Sequence, residues 1–405
     1  MKQTAIGTGV AALTLGLALA LSGCSSSTSA PAPSAESASP TEAALTPELE
    51  AGLQKALDQV RKEFDAPGIQ AGVWTADGKW IGSSGVAKVG TDQPITPADH
   101  TRIGSITKTM TATVILQLID EGKLSFDDVL DKYVPGMPNG DTATIKNLLE
   151  MQTGIPTYTG DTTVVDTYSA DPTTTFTPRE LVDSVKKQPA MFAPGAQFFY
   201  SNTNYVLLGM VIEKVTGTSI ADNFSERLFT PLSMSDTSVP GTSTALPEPY
   251  LSGISEQTNP LGKVKNATNW NPSFASTAGE VISTIEDLHT WGEALGTGKG
   301  ILSPETQQLR EESVNTSVPP NTPQRSYGMG IVNTAGWLGH TGEIPGYNTV
   351  LNHKPETGTT IVVMVNSDIT KGPQNQQVAP AVAAFEALAG ILDPAAAESS
   401  SSPSP

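Results

Sequence analysis

With 405 residues and 38% hydrophobic side chains, the chain can build a sizeable core and is too long for one compact single-core fold. Its 41 acidic against 23 basic groups give a formal charge of −18, which repels nucleic acid and anionic headgroups and excludes both as direct partners. The single cysteine, Cys24, excludes an intramolecular disulfide.

Met1 and Lys2 make a short basic start, and Ala5 to Leu21 is an apolar run short for a membrane span. Leu21-Ser22-Gly23-Cys24 closes it and resembles the bacterial lipobox, in which the cysteine is acylated and becomes the new N-terminus. The resemblance implies a signal peptide over 1–23 and lipid attachment at Cys24. The protein is then expected to be exported and held on the outer face of the cell membrane by acyl chains, since no basic patch could do so. Residues 24–45, rich in Ser, Ala and Pro, read as a flexible tether, and 394–405 as a disordered tail of the same composition.

Between them, 46–393 reads as the folded part. Thr46-Pro47 is a helix start, with Glu48 and Glu50 in the first turn and Leu49, Leu53, Leu57, Val60 and Phe64 on one face. Strand-like runs Ile69–Thr75 and Trp80–Ala87 follow, joined by a turn at Asp77-Gly78. Helical patterns dominate from Ser105 to about Leu295, with long Thr/Pro/Gly loops such as Thr157–Phe176. Strand signals return at Tyr327–Val332, Tyr347–Lys354 and Thr359–Val365, and a last helix covers about Gln376 to Leu392. A lone two-stranded hairpin is unstable. The pattern therefore predicts an α/β protein of the α+β type, with one antiparallel sheet built from both termini (about 46–104 and 296–393). The terminal helices flank the sheet, and a mainly helical lobe (about 105–295) is inserted between.

Ser105-Ile106-Thr107-Lys108 opens an apolar helix, so serine and lysine are neighbours across one turn. A serine in a first helical turn also has a backbone N–H free to stabilise an oxyanion. Ser184-Val185-Lys186-Lys187 has the same spacing, but Thr177-Pro178 starts that helix, which places Ser184 mid-helix on the surface with its N–H committed. Tyr200-Ser201-Asn202 precedes another apolar helix; in an extended segment its phenol and carboxamide point the same way. His340-Thr341-Gly342 follows the strand-like Trp337-Leu338-Gly339.

Taken in this order, the motifs resemble the three signatures of the penicillin-recognising serine hydrolases: Ser-x-x-Lys, Tyr-x-Asn, and a basic residue with Thr-Gly. The Tyr form is similar to the class C β-lactamase branch, and the His form to the actinomycete D-alanyl-D-alanine carboxypeptidases. Residues 102–124, 193–217, 275–288 and 327–333 carry the same likeness, which spans roughly Pro67 to Asp368. The resemblance implies that Ser105 is acylated and that Lys108 or Tyr200 takes its proton, a choice the sequence leaves open. It further implies that Asn202 orients Lys108 and the substrate amide, and that His340 holds Tyr200 and returns the proton. Thr341 would hydrogen-bond a substrate carboxylate, Gly342 would belong to the same substrate-binding set, the N–H groups of Ser105 and Glu343 would form the oxyanion hole, and Phe274 would line the acyl side. Met151 to Pro156 is similar to a His-x-Ser-Gly-Leu-Pro turn of the family.

Two positions depart from the carboxypeptidase pattern. Glu343 replaces a threonine after the His-Thr-Gly triplet, and Tyr327–Gly339 holds no Arg or Lys to receive a terminal carboxylate. The leading expectation is a carboxypeptidase-like acyl-serine hydrolase acting on cell-wall D-Ala peptides. The alternatives are a class C-like β-lactamase or small-ester esterase, and a non-enzymatic penicillin-binding or sensor lipoprotein. The expected ligands are peptidoglycan-type peptides and β-lactams, bound by a monomer. The four histidines show no metal-binding spacing and no phosphate loop is present, so no cofactor is implied.

Overall fold

The computed structural model describes residues 44–258, 263–314, 316–373 and 377–393. The proposed signal peptide with Cys24, nearly all of the tether, and the tail lie outside these residues. The tether's last two positions do not: Ala44 bridges to Lys79, and Leu45 is buried against the first helix. The fold therefore begins slightly earlier than expected.

Helix α1 (Pro47–Phe64) is capped by Thr46, whose hydroxyl accepts from the Leu49 N–H, and buries Leu53, Leu57, Val60 and Phe64. It leads into the antiparallel pair β1 (Gly68–Thr75) and β2 (Gly78–Gly85). The second strand starts and ends two residues before the expected bounds, because the turn closes at Ala76-Asp77. Helix α2 (Thr107–Asp120) is buried on nearly every side, as suits the central helix of a lobe. Helix α3 (Asn202–Thr216) packs against it, and α4 (Ile285–Thr297) is tied to it by the Trp291 indole, which donates to Thr109.

The C-terminal part supplies β3 (Arg325–Tyr327), β4 (Val332–Thr334), β5 (Trp337–Ile344), β6 (Tyr347–Lys354) and β7 (Thr359–Val365). Their antiparallel order is β2-β1-β7-β6-β5-β4-β3, so strands from the two ends of the fold meet at β1 and β7, with Ala71 opposite Val363. Side chains of β7 alternate between two cores. Ile361 and Val363 join α1 and α5 (Pro380–Leu392) on one face, while Val362 and Met364 join α4 and the lobe on the other.

Some expectations need correction. The run 327–332 is not one strand: Tyr327 ends β3, Val332 opens β4, and 328–331 turns between them, because the Gly328 N–H bonds the Ile331 carbonyl and Gly330 takes φ +69°. The supposed loop 157–176 holds a helix, Thr162–Ala170, capped by the Asp161 carboxylate and anchored by Val164 and Tyr168. The last helix starts at Pro380, a residue suited to a first helical position. Ser184 is half-buried at the end of the helix Pro178–Asp183, its hydroxyl donating to the Leu181 carbonyl. Finally, α4 covers the sheet, although the sequence assigned most of it to the lobe.

Candidate active site

Ser105 sits in a tight turn, Gly104–Ile106, that leads directly into α2. Two glycines let this turn press against strand β5. A Cβ on Gly104, which has φ +54°, would strike the Glu343 backbone, and one on Gly342 would strike the Ile103 carbonyl and Thr349. The Pro345-Gly346 turn makes Ile344 and Tyr347 the hydrogen-bonded pair of the β5–β6 hairpin, so Glu343 and Asn348 are the next, non-bonded pair. The Glu343 N–H consequently points away from β6, toward Gly104 and Ser105. Together with the free N–H of a first helical turn at Ser105, it forms a two-donor pocket for an oxyanion.

Lys108 is fully buried, with Nζ 2.8 Å from Ser105 Oγ and donating to the Ala278 carbonyl at 2.7 Å. Burial holds its ammonium well below the ordinary lysine range. Nζ also lies 4.9 Å from the centre of the Tyr200 ring. Tyr200 is 36% exposed, yet desolvation pushes its phenol pKa up, with the nearby Ser105 hydroxyl acting in the opposite sense.

His340 and Asn202 depart from the expected roles. The His340 ring is 6.2 Å from that of Tyr200, centre to centre, and tilted by 50°, so it packs on the tyrosine rather than holding it by a hydrogen bond. Its Nδ1 donates to the Thr341 carbonyl, which fixes Nε2 as a bare acceptor, buried and without a partner among the described residues. Burial, then the Lys108 charge, pushes the His340 pKa down to about 3. It is therefore neutral at physiological pH and cannot return a proton as an imidazolium. Asn202 opens α3 instead of lying in the extended segment. Its N–H donates to Thr157 and its amide to Thr159 at 3.4 Å, leaving the orientation of Lys108 to Ala278. The Met151–Pro156 turn braces this region, since Met151 sulfur accepts from the Ser201 N–H and the Asn204 amide.

Two arms of one cleft meet at Ser105. The first, about 450 Å³, is lined by Phe198, Arg325, Tyr327, His340, Thr341 and Glu343. The second, about 370 Å³, is lined by Tyr158, Tyr168, Asn202, Phe274, Gln257 and again Glu343. Phe274 stacks on Tyr168 with 4.3 Å between ring centres. Among the described residues no cluster of His, Cys, Asp and Glu is suited to a metal ion.

A serine hydrogen-bonded to a buried lysine, a phenol ring beside that lysine and a strand N–H close to the same turn thus lie together where the two arms meet. A Beta-lactamase family model matches residues 53–384. The chain belongs to the Beta-lactamase family. Among solved structures of this family's fold, it is similar to a D-stereospecific amidohydrolase from Streptomyces sp., at 33% identity and TM-score 0.71, covering 79% of this chain and 94% of that one. It is also similar to the D-amino acid amidase of Ochrobactrum anthropi SV3, at 26% identity and TM-score 0.74, covering 88% and 100%. PbpX of Bacillus subtilis (strain 168), described as a penicillin-binding protein, is 27% identical over 65% of this chain and 61% of that protein. The chain thus spans under two thirds of that curated relative. It is a serine hydrolase of the β-lactamase and penicillin-binding superfamily.

Sequence reasoning missed two groups of this Beta-lactamase-family site. Ala278 acts through its carbonyl, which no side-chain motif marks, although the segment 275–288 carried the likeness. Arg325 lies two residues before the window inspected for a cation. Exposed at the rim of the first arm, it has no carboxylate partner among the described residues, and its charge is felt by Tyr200 and His340. The Glu343 carboxylate, meanwhile, accepts from the Gln257 amide at 3.0 Å. Although its surface is exposed, the crowded cleft and then Asp368 raise its pKa.

Proposed function

We propose that the chain is a carboxypeptidase-like acyl-serine hydrolase that cleaves short D-amino-acid peptides ending in a carboxylate. The single observation that carries this reading is the division of charge in the cleft. The Arg325 guanidinium, which makes no ion pair among the described residues although Glu386 feels its charge, and Thr341 border the first arm, which suits a leaving group with a terminal carboxylate, while the Glu343 carboxylate is turned onto Gln257. The opposite shifts of Lys108 and Tyr200 support the neutral lysine amine as the base and the protonated phenol as the proton relay. Ser105 loses its proton to Lys108 as Oγ attacks the carbonyl. The proton then reaches the leaving nitrogen through Tyr200, and water releases the acyl group.

A second reading is a D-amino-acid amidase, in line with the names of the two similar structures. Glu343 favours it, because a carboxylate bordering the second arm suits a substrate α-ammonium group. The two readings separate on kcat/KM for an acyl-D-Ala-D-Ala peptide and for D-alanine amide, in wild type and in Arg325→Ala. The carboxypeptidase reading expects KM for the peptide to rise roughly tenfold or more on loss of a charge-assisted contact, with amide turnover unchanged. A wild type that prefers the amide, and an Arg325→Ala variant without effect on the peptide, would establish the amidase instead. We further propose export and lipid attachment at Cys24, a reading supported by the run Leu21–Cys24.

A further inference from the structure

Behind the catalytic cleft lies a separate cavity of about 380 Å³, divided from it by the loop 272–280. The loop's residues alternate in direction. Phe274, Ala275, Ala278 and Gly279 line the acyl arm, whereas Ser273, Ser276, Thr277 and Glu280 line the rear cavity. Val206 and Met210 of α3, Ile220 and Val239 make the rest of its wall largely apolar.

Glu280 lines this space and is 6% exposed, yet its carboxyl has no hydrogen-bond or ion-pair partner among the described residues. Buried acids are ordinarily paired, because an unpaired one costs desolvation without return. The charged or titratable groups facing it are Glu213 of α3, Arg102 and Tyr158. Glu213, at the cavity's mouth, adds a second negative charge. Arg102 spends one amino group on the Thr244 carbonyl at 2.7 Å and makes no ion pair with Glu280.

We propose that this cavity binds a small organic monocation, an alkylammonium whose tail lies on Val206, Met210 and Val239 and whose head pairs with Glu280 and Glu213. The site is independent of the catalytic reading, and its occupant would rest on the far side of the loop that holds Lys108 through Ala278. Burial, then Glu213, pushes the Glu280 pKa up to about 8, so without a ligand the carboxyl is mostly protonated at neutral pH. Binding a cation must expel that proton, and affinity should therefore rise about tenfold per pH unit below pH 8 and level off above it.

Titration calorimetry of the wild type with n-butylammonium chloride, and with n-butanol as the neutral isostere, tests the proposal. Saturable binding of the cation is expected, at least tenfold tighter than the alcohol, with proton release at pH 7. Glu280→Gln should weaken it at least tenfold, and Glu343→Gln should leave it unchanged. Should Glu280→Gln not fold, the exposed Glu213→Gln serves, with a smaller weakening expected. No saturable binding, or binding that survives Glu280→Gln and is lost in Glu343→Gln, would overturn the assignment, the latter by placing the cation in the catalytic cleft.

Discussion

At the scale of residues, the same Ser-x-x-Lys spacing produces two unlike serines. Ser105 lies 2.8 Å from a buried lysine amine beside two backbone N–H groups, whereas Ser184 spends its hydroxyl on the Leu181 carbonyl and its N–H on Glu180. Ser105→Ala should abolish covalent labelling by a β-lactam or fluorophosphonate, read by intact mass, and Ser184→Ala should leave it intact. Labelling that maps to Ser184 would remove the nucleophile from this cleft. Loss of the proposed base in Lys108→Ala should slow labelling by about 10²–10⁴. If the neutral Lys108 amine is the base, as proposed, burial lowers the pH at which it is protonated, so labelling should fall with acid at a pH below the ordinary lysine range.

At the scale of elements, the proposed chemistry depends on a helix start meeting a strand edge closely enough to aim two N–H groups at one point. Gly104 makes that approach possible, as its φ of +54° disfavours other residues and a side chain there would push the Glu343 backbone away. Gly104→Ala should therefore cost about 1–3 kcal/mol of stability in a denaturant titration. It should also slow Ser105 labelling by about 10²-fold or more through displacement of the oxyanion donor. An unchanged labelling rate would mean that Glu343 does not serve the oxyanion. The motifs for Ser105 and Lys108 were legible because their spacing is local, one turn of one helix. Ala278 and Arg325 were not, since one acts through its backbone and the other reaches the cleft only because the β3–β4 turn folds strand β3 back along β4, which in turn pairs with β5.

At the scale of the whole molecule, the terminal strands β1 and β7 are sheet neighbours, and the helical lobe shares one core with the sheet face beneath α4. Among the described residues no helix is long and apolar enough to cross a membrane. The proposed acyl chains on Cys24 would hold the protein at the membrane. Cells expressing the protein should hold it in the membrane fraction, and Cys24→Ala should release it or leave it unprocessed. A native mature N-terminus at any other residue would refute the attachment.

By itself the sequence determined the face of the first helix, the strands of the central hairpins and the sheet drawn from both ends, features that follow from periodicity, which a linear pattern records. Ser105, Lys108 and Tyr200 came forward as candidates from the resemblance of three motifs, in order, to the family. Only the tertiary structure decided that His340 is neutral and packs on Tyr200 without bonding it, that Asn202 faces Thr159 instead of Lys108, and that Glu343 turns to Gln257. Each depends on which distant segments exclude water or supply a partner. Burial and partner geometry are properties of packing, and no spacing along the chain encodes them.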